Sequence, residues 1–382
     1  MIIIVEPQCV GLEHVEFNSA FINVVKNAFN DEMILFLAEK EHIKYVRKFL
    51  EDNFVNIDYK EIKIPKRTQS DFFRFNLEFN IINNIFTLSK KLKSFKIIFT
   101  SVRSSTLISI KILTRFFKDV DVISVLHGDL NSISAMPLVP TRIIFWIKIW
   151  LQFFNSKRLL YLVLGSPIEK NLIKELPKLA GYVYSIDHPY FYKSHQISGF
   201  SFNQKIKFGY LGVIHVMKGI NLFFKLSEDI NQIKEIKNAE FLVIGHLTDK
   251  SAEKFPKSVF VPSPYVPLSQ EEYGNYVKEV DYVVFVYGEQ YSKLRASATL
   301  FDAFSYLKPI IAFRNPYLQY YFDKMGDIGY LCDSYEEMKD IIIKIIKNPS
   351  NKRYVKQQQN LLKGREKFNF DRLSERFKNI WE

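Results

Sequence analysis

The sequence predicts an α/β protein of two domains, each built on a parallel sheet with helices on both faces. Short apolar runs that read as buried strands alternate along the chain with helical patterns, the order that βαβ units impose. With 382 residues and 47% hydrophobic content the chain exceeds what one core usually organises and should divide in two. Near residue 200 the segment KSHQISGFSFNQK is polar and lacks core-forming periodicity, the mark of a linker. The first domain is therefore expected to span 1–200 and the second to begin at 201.

Ile2 to Val5 opens the first half as a buried strand, and Phe17, Phe21, Val24, Val25 and Ala28 form a helical stripe after a loop from Glu6 to Glu16. MILFLA at 33 is the next strand, a charged helix reaches about Asp52, and VNIDYKEIKI alternates as a more exposed strand. A long helical pattern from Ser70 to Leu92 precedes the strand KIIFT at 96, and VDVISVL at 120 is another buried strand, ending at His127. LLYLVL at 159, a short helix and GYVYSIDHPYFYK complete the half.

The most apolar segment, RIIFWIKIWLQFF from Arg142 to Phe154, is too short and too interrupted by Lys148 and Gln152 to span a bilayer, which takes roughly 20 apolar residues. Read as one helix it has only a narrow polar face. It is either a core helix buried on most sides, or one whose Trp and Phe side chains dock at a membrane surface beside Lys157 and Arg158.

The second half starts again with IKFGYLG at 206, then Gly212, a loop reaching Lys218-Gly219, and a helical pattern. A glycine there lets backbone approach a ligand, and an ammonium stands near a helix start. FLVIG at 241 and SVFVPSPYV at 258 are further strands, and Ser269 to Lys278 is helical. VVFVY at 283 then leads through a polar loop to Ser297 and Thr299, where a short helix begins with Leu300, Ala303, Phe304 and Leu307 on its buried face. Lys308-Pro309 ends it before the strand IIA at 310. A helix from Ser334 to about Lys347 and the final pattern FDRLSERFKNIW close the chain. In a parallel sheet the loops at the strands' carboxyl ends face the ligand. Arg295, the helix start and Asp302 thus offer a cation, exposed N–H groups and a carboxylate to a nucleotide diphosphate and its ribose, or form a plain surface ion pair.

Lys and Arg outnumber Asp and Glu by 53 to 41, giving net +12, which favours acidic partners such as phosphates, nucleotides or anionic lipid. Bases interleaved with stacking aromatics along one continuous surface would signal nucleic acid; here Gly, Lys, Arg and Asp gather at strand ends instead. Cys9 and Cys332 are too far apart to suggest a disulfide framework or zinc site, and MIIIVEPQ lacks the basic start of a secretory signal. A cytoplasmic protein is expected.

Taken together, the spacing from Gly212 to Lys218-Gly219, the strand FLVIG, YVPLSQEEY followed by DYVVFVY, and ATLFDAFSYLKPIIA with Gly326, Gly329, Tyr330 and Leu331 resemble the donor-binding domain of GT-B glycosyltransferases, particularly the retaining family 4 group. VISVLHGD and SIDHPYFYK in the first half agree with it. The resemblance implies two Rossmann-like domains facing across a cleft, with 201–365 binding the nucleotide-sugar and 366–382 forming a helix that crosses back to the first domain.

By the same resemblance Gly212 lies against the donor diphosphate and Lys218 pairs with it, Asp302 holds the ribose hydroxyls, backbone at Tyr265 and Val266 frames the nucleobase, and Ser297, Ala298, Thr299 and Leu300 present N–H groups to phosphate. His127 becomes the catalytic-site histidine, against the plain reading of a histidine bonding backbone at the sheet edge. Gly11, Glu13, His14, Asp129 and Arg103 are acceptor-side candidates, with Lys63, Lys66 and Arg67 as further bases. Two departures stand out: Leu294 replaces the family's first motif glutamate, and Val213 its usual arginine, a charge that Arg295 is expected to restore.

The expected activity is sugar transfer from a nucleotide-sugar to a glycan or lipid-linked glycan, in bacterial surface polysaccharide synthesis at the cytoplasmic membrane face. It would be retaining and independent of metal or cofactor. An anionic membrane surface is a candidate partner and nucleic acid is not. The alternatives are a GT-B-fold sugar-nucleotide epimerase, betrayed by donor turnover without acceptor, and a basic non-catalytic scaffold.

Overall fold

The computed structural model describes all residues except 51–55, 66–69, 128, 135, 194, 200–204 and 248–254. It divides into two compact units, the first made of Met1–Phe191, Leu294–Ala296 and Phe368–Glu382, the second of Tyr192–Lys293 and Ser297–Lys367.

The first unit carries strands β1 (Ile2–Val5), β2 (Ile34–Ala38), β3 (Ile57–Glu61), β4 (Lys96–Phe99), β5 (Asp121–Val125), β6 (Leu159–Leu164) and β7 (Val183–Ile186). They form one parallel sheet in the order β3-β2-β1-β4-β5-β6-β7. The central strands are buried along their length, as continuous apolar runs require when helices cover both faces. At the edge, β3 alternates half-buried with exposed positions, which explains its mixed sequence. Chain order reverses direction between β1 and β4, so this pair is the sheet's topological switch point, where a crevice opens beyond the carboxyl ends. The terminal helix Phe370–Trp381 packs on the helix Val15–Ala28, with the Phe377 ring edge-on to Phe21 at 5.5 Å.

The second unit carries β8 (Ile206–Leu211), β9 (Ala239–Ile244), β10 (Val259–Phe260), β11 (Tyr282–Phe285), β12 (Ile310–Phe313) and β13 (Gly329–Cys332). These pair in parallel in the order β10-β9-β8-β11-β12-β13, with the switch point between β8 and β11. Helices start where the sequence places caps: Ser269 and Glu272 form a reciprocal capping box, and Ser334 caps Tyr335–Lys347.

The structure differs from the sequence reading in several elements, among them the helices Ser104–Phe116 and Pro316–Met325, which that reading did not place. The apolar segment is not one helix: a 3₁₀ turn, Pro140–Phe145, breaks at extended Trp146 before the six-residue helix Ile147–Gln152, of which only Ile147 and Leu151 are buried. The core reading therefore holds only in part: Ile147 and Leu151 are buried, most of the segment is half-buried, and Ile144, Phe153 and Phe154 face outward. The helix Asn351–Arg365 has no counterpart among the predicted elements, since its buried positions include Gln357, Gln358 and Gly364 and give little apolar stripe. Among the described residues no helix is long and apolar enough to cross a membrane.

Candidate functional site

In the second unit the switch-point loops follow β8 and β11. Gly212 takes φ 84°, a left-handed conformation that costs glycine little. A Cβ placed there would lie 2.7 Å from Thr299 Cγ2 and 3.0 Å from Lys218 Nζ, so the two loops meet over the bare Cα of Gly212. Lys218 ends a 3₁₀ turn capped by His215, whose Nδ1 accepts from the Met217 N–H at 3.0 Å. The lysine is 7% exposed, and its Nζ donates to the Leu211 carbonyl at 2.7 Å. Gly219, at φ 82°, turns the chain where any Cβ would strike the Val286 carbonyl, so the Lys218 loop is pressed against the end of β11.

Across from Lys218, Ser297 precedes the eight-residue helix Ala298–Ser305 without capping it through its side chain; its Oγ meets Thr299 Oγ1 at 3.1 Å. Of the four N–H groups expected to face phosphate, that of Leu300 donates instead to the Ser297 carbonyl at 3.2 Å. The Ser297 N–H donates to the Tyr317 hydroxyl. Leu300 is fully buried and anchors the helix, while Asp302 accepts from the Tyr273 hydroxyl at 2.8 Å. Tyr265 and Val266 are exposed beyond β10, two strands from β8 on the same carboxyl edge, and the Val266 carbonyl already accepts from Ser263 Oγ.

Arg295 belongs to the first unit rather than the second. With the Asn131 amide turned so that its oxygen faces the guanidinium, Arg295 donates to it through Nε at 3.1 Å and Nη2 at 2.7 Å. Arg295, expected within the domain 201–365, is thus grouped with the first unit. Leu294, at the position of the missing glutamate, is buried.

In the first unit the switch point gathers polar groups around a residue that sequence reasoning passed over. Glu6, at the end of β1, is fully buried. Its carboxylate accepts from the backbone N–H groups of Gln8 (2.8 Å) and Cys9 (3.0 Å), from Thr100 Oγ1 (2.9 Å), from Asn18 Nδ2 (3.2 Å) and from Ser101 Oγ. Burial pushes its pKa up, but the hydrogen bonds from Ser101 and Gln8 and the charges of His14 and His42 outweigh it, leaving the group below its ordinary value. The signal was available: a carboxylate directly after the first buried strand, and Thr100-Ser101 directly after its sheet neighbour β4.

His127 follows β5, and its Nε2 lies 2.9 Å from the Thr100 carbonyl. That partner is an acceptor, so Nε2 carries the proton and Nδ1 is the basic nitrogen. Burial, helped by the charge of His14, lowers the His127 pKa to about 3, so the ring is neutral near pH 7. His14 stands exposed at φ 54° ahead of the helix Val15–Ala28, its ring centroid 4.8 Å from that of His127. His188, another residue the sequence reading left without a role, is buried beside Phe17, and burial lowers its pKa to about 4.

The remaining acceptor-side candidates scatter around this cluster. Gly11, at φ 55°, donates its N–H to Glu39 at 3.2 Å and its carbonyl meets His42 Nδ1 at 2.9 Å. Glu13 accepts from the Val10 N–H, and Arg103 precedes the helix Ser104–Phe116. Asp129 opens the 3₁₀ turn Asp129–Ser134, with its side chain outside the described residues, where Lys66 and Arg67 also lie. Among the described residues no group of His, Cys, Asp and Glu has the geometry to hold a metal ion.

No protein-family profile matches the chain, and no curated protein sequence does. Solved structures do. HepE of Anabaena, in complex with UDP, superposes with a TM-score of 0.65 at 10% identity over 100% of this chain and 99% of its own. The lipopolysaccharide outer core galactosyltransferase WaaB gives 0.66 at 13% over 100% and 98%, and a glycosyltransferase of Rickettsia africae gives 0.66 at 12% over 100% and 99%. At such identities the likeness speaks to architecture: two Rossmann-like parallel sheets of this kind are those of the GT-B glycosyltransferases, and that is the fold of this chain.

Proposed function

We propose that the chain is a glycosyltransferase that moves a sugar from a nucleoside diphosphate donor, a UDP-sugar in the first instance, to a glycan acceptor of a bacterial surface polysaccharide. One observation carries the reading: Gly212, Lys218 and Thr299 meet at the start of a helix, at the carboxyl ends of the two switch-point strands. Similar structures support it, since HepE has been solved in complex with UDP and with UDP-glucose.

As the anomeric carbon–oxygen bond breaks, the electron pair stays on the leaving diphosphate. Lys218 and the N–H groups of Ala298 and Thr299 oppose that growing negative charge and so favour the transition state over the bound donor. The acceptor hydroxyl attacks the same carbon, on the face the diphosphate leaves, and passes its proton to the departing phosphate oxygen. The neutral imidazole of His127, on the acceptor side in this reading, contributes hydrogen bonding rather than a positive charge at neutral pH. Retention of configuration, a reaction without metal or added cofactor, and a lipid-linked acceptor at the cytoplasmic membrane face belong to the same proposal.

Thermal shift with UDP-, GDP-, CMP- and dTDP-sugars tests it, because a ligand that binds only the folded state raises the melting temperature. A shift with one nucleotide class that is lost in Lys218→Met is expected. Absence of any shift overturns the donor assignment, and donor turnover without acceptor would assign an epimerase instead.

A further inference from the structure

The helix Asp71–Lys91 is inside out in its first turns. Arg74 and Glu78 point into the first unit, 5% and 2% exposed, and pair at 3.1 Å. Glu78 also accepts from Ser105 Oγ at 2.7 Å and Thr106 Oγ1 at 2.8 Å. On the outer side Phe72 is 67% exposed and Phe73 51%. A helix that faces only water puts its phenylalanines inward and its ion pairs outward. Here a buried network holds the reverse orientation in place.

This face continues onto the broken apolar segment. Arg142 pairs with Asp71 at 3.7 Å, and the Phe145 ring lies 6.2 Å from that of Phe75. An open hollow of about 430 Å³ lined by Phe75, Phe79 and Ile112 together with Asn76 and Asn80 sits beside it. Leu138, 99% exposed, and Ile144, 59% exposed, extend the apolar surface, with Phe153 and Phe154 further along. The tryptophans that the sequence suggested as the docking groups are tied to the chain instead: Trp146 donates to the Ser132 carbonyl and Trp150 to that of Ile144.

Cations sit among these side chains. Arg115 lies 4.7 Å from the Phe154 ring centroid, Lys178 lies 4.8 Å from Phe153 and Lys148 lies 5.3 Å from Trp146. Apolar side chains set among bases suit a surface that is greasy below and anionic above.

We infer that this face of the first unit seats on an anionic lipid bilayer, with Phe72, Phe73, Leu138 and Ile144 entering the headgroup boundary and Arg115, Arg142 and Lys178 meeting lipid phosphates. The inference deepens the membrane part of the proposed function and uses no feature of the donor site.

The test is flotation of the full chain with phosphatidylcholine vesicles, with and without phosphatidylglycerol. UDP thermal shift is run on every variant to separate docking from donor binding. Wild type is expected to float with the anionic vesicles, more weakly as salt rises. Arg115→Gln, Arg142→Gln and Lys178→Gln should each lower partition about fivefold on anionic vesicles and little on neutral ones. Phe72→Ser with Phe73→Ser, and Leu138→Ser with Ile144→Ser, should lower it on both, while the melting temperature and the UDP shift stay those of wild type.

Failure of wild type to float, or equal flotation of the apolar variants, overturns the inference. So does sedimentation of wild type as a dimer that these serines dissociate, because the face would then belong to a second copy. Loss of the UDP shift with flotation intact would fault the donor reading alone.

Discussion

The two switch points share a topology and differ in charge. In the second unit the crevice beyond β8 and β11 presents a glycine, a lysine and the start of a helix that has no side-chain cap. Beyond β1 and β4 in the first unit the chain instead buries a carboxylate under five hydrogen bonds and surrounds it with histidines. The same strand order therefore fixes where a site forms but not what it binds, which depends on the few residues that follow each strand. One crevice offers a buried lysine beside a bare glycine Cα, and the other a buried carboxylate ringed by donors.

The difference can be broken most severely at Glu6. Glu6→Ala removes the acceptor of five buried donors and should destabilise the first unit by about 3 kcal/mol or more, read as a lower denaturation midpoint. Glu6→Gln should recover part of that loss by keeping one oxygen as an acceptor. An unchanged midpoint in Glu6→Ala would mean that the network is not holding the loops.

Next in size is Lys218→Met, which keeps the packed stem and removes the charge. It should weaken UDP binding by about 2 kcal/mol, roughly thirtyfold, while loss of the bond to the Leu211 carbonyl should lower stability without ligand by only about 1 kcal/mol. Gly212→Val belongs with it, because its side chain would occupy the space shared by Thr299 and Lys218.

Acid sharpens the contrast. His188 has its pKa lowered to about 4 by burial, and His127 to about 3. Below the ordinary histidine value near 6.5 the unfolded chain takes up protons that the folded chain refuses. Stability should therefore fall as pH drops from about 6.5, by about 1.4 kcal/mol per pH unit for His188. Glu6, depressed below its ordinary value, contributes stability above the unfolded carboxylate pKa and adds its own loss as pH falls through its folded pKa. Circular dichroism melting from pH 7 to pH 4 (about the range these pKa values bracket) should show the fall, and His188→Gln should flatten its upper part. The smallest effect is Tyr273→Phe, which removes the bond to Asp302 and should cost about 1 kcal/mol; a larger loss would give Asp302 a structural role beyond that bond.

Much of this was legible in sequence because the strands are short apolar runs with their own boundaries, and because Gly212, Lys218 and the start of the helix Ala298–Ser305 are spaced along the chain as the fold brings them together. What was not legible depends on contacts distant in sequence. Glu6 acquires meaning only when β4 pairs beside β1 and brings Thr100 and Ser101 to it, 94 and 95 residues away. Arg295 stands in sequence beside Ser297, yet its guanidinium goes to Asn131 in the first unit. The helix Asn351–Arg365 buries glutamines rather than an apolar stripe, so periodicity had nothing to register. The facing of Asp71–Lys91 was not legible either, since a helical pattern alone does not say that Arg74 and Glu78 take its inner side while Phe72 and Phe73 face out.

Calorimetric titration of UDP into wild type, Lys218→Met and His127→Gln tests the central contrast most directly. The account predicts that wild type and His127→Gln bind UDP alike while Lys218→Met loses roughly thirtyfold. Equal affinity in all three proteins, or binding that depends on His127 and not on Lys218, would contradict it.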